Sequence, residues 1–257
     1  MKNLFTLAAL AAAALSHASF ELMFVSDYAN KQIRRYDAVT GASFGSFGTG
    51  FFGTTGRTYA DRASGIIYCG DLTGRIVKFN YSTGEFAGSF AVNGGYQVVL
   101  LQDGTILTGS EGSGFARYSQ TGTLLTSFSV PSGISGLTQA AIGCSYASTF
   151  SGNVYRVAPT GGSANLVTTF AGNSLIGIKA QGNRLALTSY QDNGFAAVFD
   201  VNASGAVVGT PRTLDLFASE TNTMRGREVA FGHSGLMYVL GEDVTASKNF
   251  VYTWDPT

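Results

Sequence analysis

One short phrase recurs along the chain at intervals close to 40 residues. Residues 33–47 read IRRYDAVTGASFGSF, and residues 76–90 read IVKFNYSTGEFAGSF, 43 positions later. A third copy, FARYSQTGTLLTSF, occupies 115–128, and weaker copies begin at 154, 196 and 250. The turn glycines of the first five copies lie 38 to 44 residues apart, at Gly41, Gly84, Gly122, Gly161 and Gly205. Such a period is typical of repeat units that stack and share a core.

The pattern inside each unit indicates what the unit is. Short β-branched and aromatic runs are separated by Gly, Asn, Asp and Ser, and no ten-residue stretch has a helical period. Each unit therefore reads as four strands, A to D, which in the third unit are Tyr96–Leu101, Thr105–Gly109, Gly114–Tyr118 and Leu124–Val130. About six such units predict an all-β fold, a β-propeller of up to four antiparallel strands per blade, with the first and last blades incomplete.

Composition is consistent with many tight turns. Glycine supplies 34 of the 257 residues, and without a collagen period such an excess indicates short strands joined by turns. Lysine plus arginine balances aspartate plus glutamate at 16 each, with no basic cluster. Because phosphate binding needs clustered positive charge, we expect no nucleic-acid partner.

The N-terminus has the pattern of a secretory signal peptide. MKN is followed by an apolar run, Leu4 to Leu15, and by the small-residue site Ser16-His17-Ala18. The run is too short to span a bilayer. We expect residues 1–18 to be removed, residues 19–257 to form a single propeller domain, and the protein to be secreted or periplasmic.

The two cysteines fall in different blades. Cys69 lies in strand B of the second blade and Cys144 in strand B of the fourth. A disulfide needs Cα atoms within about 7 Å, and a whole blade separates these two. We predict two unpaired, buried thiols.

The first blade resembles a known type of propeller repeat. FVSDYANKQIRRYDAVTG (24–41) is similar to the NHL-type blade, through Asp27, Asn30, Ile33, Tyr36 and Asp37. The second blade keeps part of this pattern, and the chain also resembles the gluconolactonase-like propellers. The resemblance implies a six-bladed propeller of an exported bacterial protein. It does not carry a function, because propellers host hydrolases, lyases, receptors and scaffolds.

A binding face can be predicted from the strand order. Strand A runs down the central channel, so the D–A and B–C loops gather on one face, where propellers usually bind. The B–C loops carry an acidic outer ring of Asp27, Asp71, Glu111, Asp192, Glu242 and Asp243. The starts of the A strands carry Arg57, Gln97, Gln139, Lys179 and Glu228. We expect Asp27 and Asp71 to matter for binding more than for stability. Alternatively, each caps its own loop.

A metal site is the weaker hypothesis for this face. Glu228 is the best first ligand, and Asn173 and Asn222, in D–A loops, could supply others to Ca²⁺ or Zn²⁺. The alternative is that Glu228 pairs with Arg225 or Arg227 and that the asparagines form turns. Beyond the predicted signal peptide, His233 is the only histidine, and it falls in an A–B turn on the opposite face. We therefore expect no resident cofactor.

Two function classes remain open. The first is a binding or scaffold module that recognises a glycan, a peptide or a protein partner through loops of one face. The second is a metal-dependent hydrolase, lactonase or lyase of the gluconolactonase type. The first is favoured, because no histidine lies on the predicted face and the sequence contains no clustered carboxylate pair.

The ends of the chain raise one further expectation. The sequence supplies 22 strands, lacking strand A of the first blade and strand D of the last. Either the chain is a truncated form or the ring is open at this junction. Strand B of the first blade, Leu22–Val25, should then have a free inner edge, through which self-association is possible.

Overall fold

A computed structural model describes residues 22–38, 40–112, 114–141, 143–160, 162–192, 194–215, 222–232 and 235–255. The predicted signal peptide and His233 lie outside these residues. Within the described residues, no helix has the length and apolar character needed to cross a bilayer. The regular secondary structure of the described chain consists of strands.

The strands follow one another with short turns between them. In chain order they are β1 (Leu22–Asp27), β2 (Gln32–Asp37), β3 (Ser43–Phe47), β4 (Thr55–Asp61), β5 (Ile66–Asp71), β6 (Arg75–Asn80), β7 (Phe86–Ala91), β8 (Gln97–Leu100), β9 (Ile106–Ser110), β10 (Gly114–Tyr118), β11 (Leu124–Ser129), β12 (Ile134–Gln139), β13 (Ser145–Thr149), β14 (Asn153–Val157), β15 (Ala164–Thr169), β16 (Leu175–Gln181), β17 (Arg184–Ser189), β18 (Ala196–Val201), β19 (Val207–Leu214), β20 (Met224–Phe231), β21 (Met237–Asp243) and β22 (Lys248–Trp254).

These strands form six small antiparallel sheets arranged in a ring. Blades 2 to 5 each contain four strands in sequence order, β4–β7, β8–β11, β12–β15 and β16–β19. Blade 1 contains β1–β3 and blade 6 contains β20–β22. The fold is therefore a six-bladed β-propeller with three strands in the first and last blades, which confirms the predicted fold class.

The recurring Thr-Gly phrase builds the turn between strands C and D. In blade 2, Asn80 accepts backbone hydrogen bonds from Ser82 and Thr83 at 2.9 and 3.0 Å. Gly84 then takes a φ of +76°, in the left-handed region that favours glycine. At the equivalent Gly122 (φ +93°), an added Cβ would lie 2.6 Å from the Phe90 side chain of the preceding blade. The phrase therefore sets both the turn and the packing of neighbouring blades.

The core lies between blades. Each main cluster of buried apolar residues combines two neighbours; Ile33 of blade 1, for example, packs with Ile67, Cys69 and Phe79 of blade 2. The clusters between later blades are built in the same way. Blades thus stabilise one another by burying apolar faces that a single small sheet would leave exposed to solvent.

Basic side chains on strand C also tie a blade to the next. Arg35 of blade 1 donates to the Ser82 carbonyl at 2.7 Å, and Lys78 of blade 2 donates to the Gln120 carbonyl at 3.3 Å. Arg117 of blade 3 reaches the C–D turn of blade 4 in the same way. Because each link crosses a blade boundary, these residues add polar contacts to the apolar interfaces.

The cysteines behave as predicted. Cys69 and Cys144 are both free and buried. Burial raises the pKa of the Cys69 thiol well above its usual value, because the thiolate cannot be solvated there. Both residues serve as small apolar core groups.

Candidate functional site

The channel mouth is shaped by irregular strand pairing. In the A–B pairs of blades 2, 4, 5 and 6, the register shifts by one residue within the first half of strand A. The residues at these shifts include Arg57 in β4 and Arg227 in β20. A bulge bends its strand and changes the direction of its side chains. The bulges of β4 and β20 therefore affect the directions of the Arg57 and Arg227 side chains at the channel.

An ion pair between Arg57 and Glu228 lies next to the bulges of β4 and β20. The Arg57 Nη1 atom is 2.5 Å from Glu228 Oε2, and the Arg57 Nη2 atom donates to the Arg227 carbonyl at 3.2 Å. The side chains are 23% and 24% exposed, so both reach solvent. The pair joins blade 2 to blade 6. Of the sequence-predicted mouth residues, the structure brings these two together.

Tyr96 lies beside this pair. It immediately precedes β8, and its phenol is close enough to Arg57, Glu228 and Glu111 for their charges to act on its pKa. Burial is the largest influence and raises the pKa of Tyr96. The hydroxyl therefore stays protonated at neutral pH.

A second cluster lies between blades 5 and 6. The Arg225 Nε atom donates to Asp192 at 2.5 Å, and the Arg227 Nε atom donates to Glu242 at 2.8 Å. The guanidinium carbons of these arginines lie 5.2 and 4.4 Å from the ring centre of Tyr190. Such distances allow cation–π attraction. The expected pairing of Glu228 with Arg225 or Arg227 is wrong, because the ring brings Arg57 to Glu228 instead.

Asp27 and Asp71 each end a strand B and cap the turn that follows. Asp27 accepts hydrogen bonds from the Asn30 backbone at 3.0 Å and side chain at 2.8 Å, and from Arg34 at 2.7 Å. Burial would raise the pKa of Asp27, but the hydrogen bonds from Asn30 and Arg34 outweigh it and lower the pKa to about 2. These contacts support the alternative that the carboxylate holds its own loop.

Asp71 is held more tightly. Its side chain is fully buried and receives backbone hydrogen bonds from Gly53 and Thr54 at 3.2 Å and from Thr73 at 3.0 Å. Arg75 adds an ion pair at 2.7 Å. Burial again opposes ionisation, while the bonds from Thr73 and Arg75 lower the pKa of Asp71 to about 2. A buried carboxylate with this many donors anchors the loop before β4.

The other predicted mouth residues have different positions. Gln97 starts β8 as expected, but it is buried and donates to the Ser135 carbonyl of the next blade at 2.8 Å. Gln139 is the last residue of β12, Lys179 is the fifth of the seven residues in β16, and Glu228 is the fifth of the eight residues in β20. Their placement at strand starts was wrong.

The reason for this error is local. The inner strands β12 and β16 begin as Ile-Ser-Gly and Leu-Ile-Gly, and a glycine interrupts the apolar alternation that marks a strand. When the side-chain amide of Gln139 is oriented to satisfy its neighbours, its nitrogen donates to the Leu100 carbonyl and its oxygen accepts from the Gln102 backbone N–H. These groups lie at the far end of β8.

The three weak metal candidates are engaged with other groups. Glu228 pairs with Arg57, Asn173 accepts from Ser189 at 3.1 Å, and Asn222 donates to Asp243 at 2.7 Å. In the part of the chain that the structure describes, no group of three His, Cys, Asp or Glu residues could hold a metal ion. Asn173 also donates to the Ala171 carbonyl within its own turn, which fits the turn-forming alternative, whereas Asn222 bonds to the end of β21.

A separate shallow groove of about 450 Å³ runs along blade 3. Its lining is uncharged and includes Asn93, Ser110, Ser127, Phe128 and Ser129. The groove thus differs in chemistry from the mouth, where arginines and carboxylates dominate.

The fold and the mouth define a six-bladed β-propeller whose channel entrance is lined by arginine–carboxylate pairs. No protein-family model matches the chain, and no curated protein matches its sequence. Sequence reasoning missed Tyr96 and Tyr190 and did not assign Arg225 and Arg227 to the mouth. The Arg-Gly-Arg run at the start of β20 was the available signal, because a glycine between two arginines allows both to face one opening through a bulge.

Proposed function

We propose that the protein is a binding module that takes a peptide or protein segment of mixed charge at the channel mouth. The observation that carries this proposal is the ion pair of Arg57 and Glu228, which spans two blades and remains accessible to solvent. A partly exposed ion pair contributes little to stability. Arg57 and Glu228 can therefore separate and pair with the charges of a ligand at a small cost in free energy. β-Propellers are commonly binding or scaffold modules, which agrees with this reading.

The mouth offers complementary groups at fixed positions. The guanidiniums of Arg57, Arg225 and Arg227 present planar donors suited to carboxylates. Glu228 and Asp192 can accept from a ligand's amines, and the face of Tyr190 can stack against an apolar or cationic group. A glycan would use the same donors, but without charge it would leave the ion pairs intact.

We also propose that the first blade is NHL-like and that the mature chain is exported. The Asp27–Asn30 contact, at positions shared with the NHL-type blade, supports an NHL-like first hairpin. The pattern of residues 1–18 supports export of the mature chain. N-terminal sequencing of the protein recovered from outside the cytoplasm, or from the periplasm, tests this, with Ser19 expected as the first residue.

A binding screen tests the proposal. Arrays of mixed-charge synthetic peptides and of neutral oligosaccharides are probed with the wild-type chain, Arg57→Ala and Arg225→Ala. The control is Arg184→Ala, which removes a comparable ion pair, with Asp200, at the opposite end of a strand B. We expect peptide binding that weakens about tenfold in the two mouth variants and is kept in the control. Binding that is indifferent to both mouth arginines, or confined to oligosaccharides, would overturn the proposal.

The hydrolase alternative has its own measurement. Calorimetric titration with Ca²⁺ or Zn²⁺ should give no stoichiometric binding if the mouth holds peptides through its ion pairs. Tight binding with a raised melting temperature would favour the metal-dependent alternative, because a ligand of the native state stabilises it.

A further inference from the structure

Strand C of each blade has one face turned towards the next blade. In blades 1 to 5 the apolar residues of that face are at most 2% exposed, and they are Ile33, Ile76, Phe115, Val154, Ala196 and Val198. In blade 6 the same face of β22 carries Val251, because the alternate residues Tyr252 and Trp254 pack towards blade 5. Val251 is 65% exposed. Among the described residues, no strand packs over this face of blade 6.

Two other interfaces show what covers the equivalent face. Val154 of blade 4 packs with Leu175 and Ile178, which belong to the inner strand β16 of blade 5. Phe115 of blade 3 packs in the same way with Ile134 and Leu137 of β12. At these two interfaces the cover is therefore the inner strand of the next blade, with two apolar residues flanking a glycine.

Blade 1 has an open edge at the matching position. Among the described residues, β1 pairs with β2 alone. In blades 2 to 5 the corresponding strand B pairs with a neighbour on both sides. Within the described part of the chain, the inner edge of β1 thus presents backbone donors and acceptors that no other strand pairs. The buried Ser26 hydroxyl on this strand also lacks a hydrogen-bond partner.

Strands of blades 2 and 6 border the region in front of this edge, which we call the slot. Strand β4 of blade 2 packs against β1 on one side. The Arg57–Glu228 ion pair runs from β4 to β20 of blade 6. The slot is therefore bounded by the edge of β1, by β4 and β20, and by the face that carries Val251.

We infer that this slot, the junction slot, binds an extended segment of a partner protein as an added β-strand antiparallel to β1. The inner strands of this chain indicate which residues that segment should carry. It carries apolar residues on both sides of a glycine, as in Leu-Ile-Gly-Ile of β16. In the register of β16 on β17, the Leu lies opposite Asp27, the Gly opposite Ser26 and the second Ile opposite Val25. Main-chain hydrogen bonds provide affinity, and the apolar pair covers Val251.

A synthetic copy of an inner strand is a direct probe of the slot. The peptide SLIGIKAQ, residues 174–181, is labelled and titrated with the full chain, and binding is followed by fluorescence anisotropy. The control peptide has the same side chains with N-methyl groups on alternate amides, which remove the strand donors. We expect the first peptide to bind at one site per chain and the N-methylated peptide not to bind. Equal binding of both peptides, or binding of neither, overturns the inference.

Two variants of the protein locate the site. Val251→Ser should weaken binding of the peptide about tenfold, because the apolar contact is lost. Val208→Ser is the matched control, since Val208 is 51% exposed on the outer strand β19 and should leave binding unchanged. Both substitutions are at exposed positions, so both variants should keep the melting temperature of the wild type. An equal loss in both variants contradicts the assignment.

The inference is independent of the binding proposed at the mouth. Arg225→Ala should weaken the mixed-charge ligand and leave the strand peptide unaffected, so failure of one site does not imply failure of the other. Sedimentation velocity separates a partner's strand from a second copy of this chain. We expect a monomer without peptide. A concentration-dependent oligomer that SLIGIKAQ dissociates would overturn the inference, because a second copy would then occupy the edge.

Discussion

The same repeat stands in two different surroundings on opposite sides of the ring. On the closed side, blades 2 to 5 have four strands each, and the apolar residues of strand C that face the next blade are buried. At the junction, blades 6 and 1 have three strands each, and equivalent residues reach solvent. Asp71 and Asp27 end the same strand in consecutive blades, yet one is fully buried and the other caps only its own turn. The contribution of a residue to stability therefore depends on the blade that packs beside it.

The largest expected difference lies between these two aspartates. Asp71→Ala should destabilise the protein by about 3 kcal/mol, because three backbone donors and Arg75 lose a buried acceptor. Asp27→Ala should cost about 1 kcal/mol, since the donors of its exposed turn can bind water. Urea denaturation of both variants measures the difference. Equal losses would break the comparison, and a loss of ligand binding with full stability would restore the interpretation of both as binding residues.

Acid should act on the same carboxylates. Each has a pKa of about 2 in the folded state, against 3.8 as its ordinary value. A lowered folded-state pKa gives stability that is present above the unfolded value and is lost as the pH falls through the folded one. We expect Asp71 alone to contribute about 2 kcal/mol of this loss between pH 5 and about pH 2. In Asp71→Asn, the free energy of unfolding measured by denaturation should decrease less steeply across this pH range. An unchanged slope would contradict the prediction.

Two valines give a matched test of packing. Val154→Ala, in the filled interface between blades 4 and 5, should cost about 1.5 kcal/mol because it removes buried methyl groups. Val251→Ala, on the same face of blade 6, should cost less than about 0.5 kcal/mol. Thermal or urea unfolding compares them directly. A large cost at Val251 would mean that the junction is filled in solution.

The smallest expected effect is the ion pair that crosses the junction. A double-mutant cycle of Arg57→Ala and Glu228→Ala should give a coupling of about 0.5 kcal/mol, decreasing with added salt, because both side chains are hydrated. The cycle of Arg184 and Asp200 serves as the reference for an exposed pair within one blade. A coupling well above the reference would show that the pair closes the ring, and the mouth would then be less free to exchange partners.

Much of the fold was readable from local chemistry. The Thr-Gly turn needs a left-handed residue and a capping side chain, and Asn80 with Gly84 supplies both within five residues. The strand periodicity between such turns gave the six units and their strand order. The separation of Cys69 from Cys144 followed directly. These features depend on neighbours in sequence, which is why the sequence could reveal them.

The candidate site was less readable. Arg57 and Glu228 were both placed at the mouth, but their pairing depends on how the ring brings blade 2 to blade 6. Gln139 and Lys179 were misplaced because glycines in β12 and β16 hide the start of each strand. Those glycines are required for a different reason: an added Cβ at Gly136 would lie 2.9 Å from the Ile176 carbonyl of the next blade. Close approach between blades is a tertiary constraint that no local pattern records.

By itself, the sequence determined that this protein is a ring of short antiparallel sheets, because turn chemistry and strand alternation act over a few residues. Only the tertiary structure decided which copies of the repeat are buried and which charges meet. Val154 and Val251 read alike along the chain, yet the first is packed against β16 and the second is exposed. Burial is a property of two surfaces in contact, and the partner surface lies in another blade.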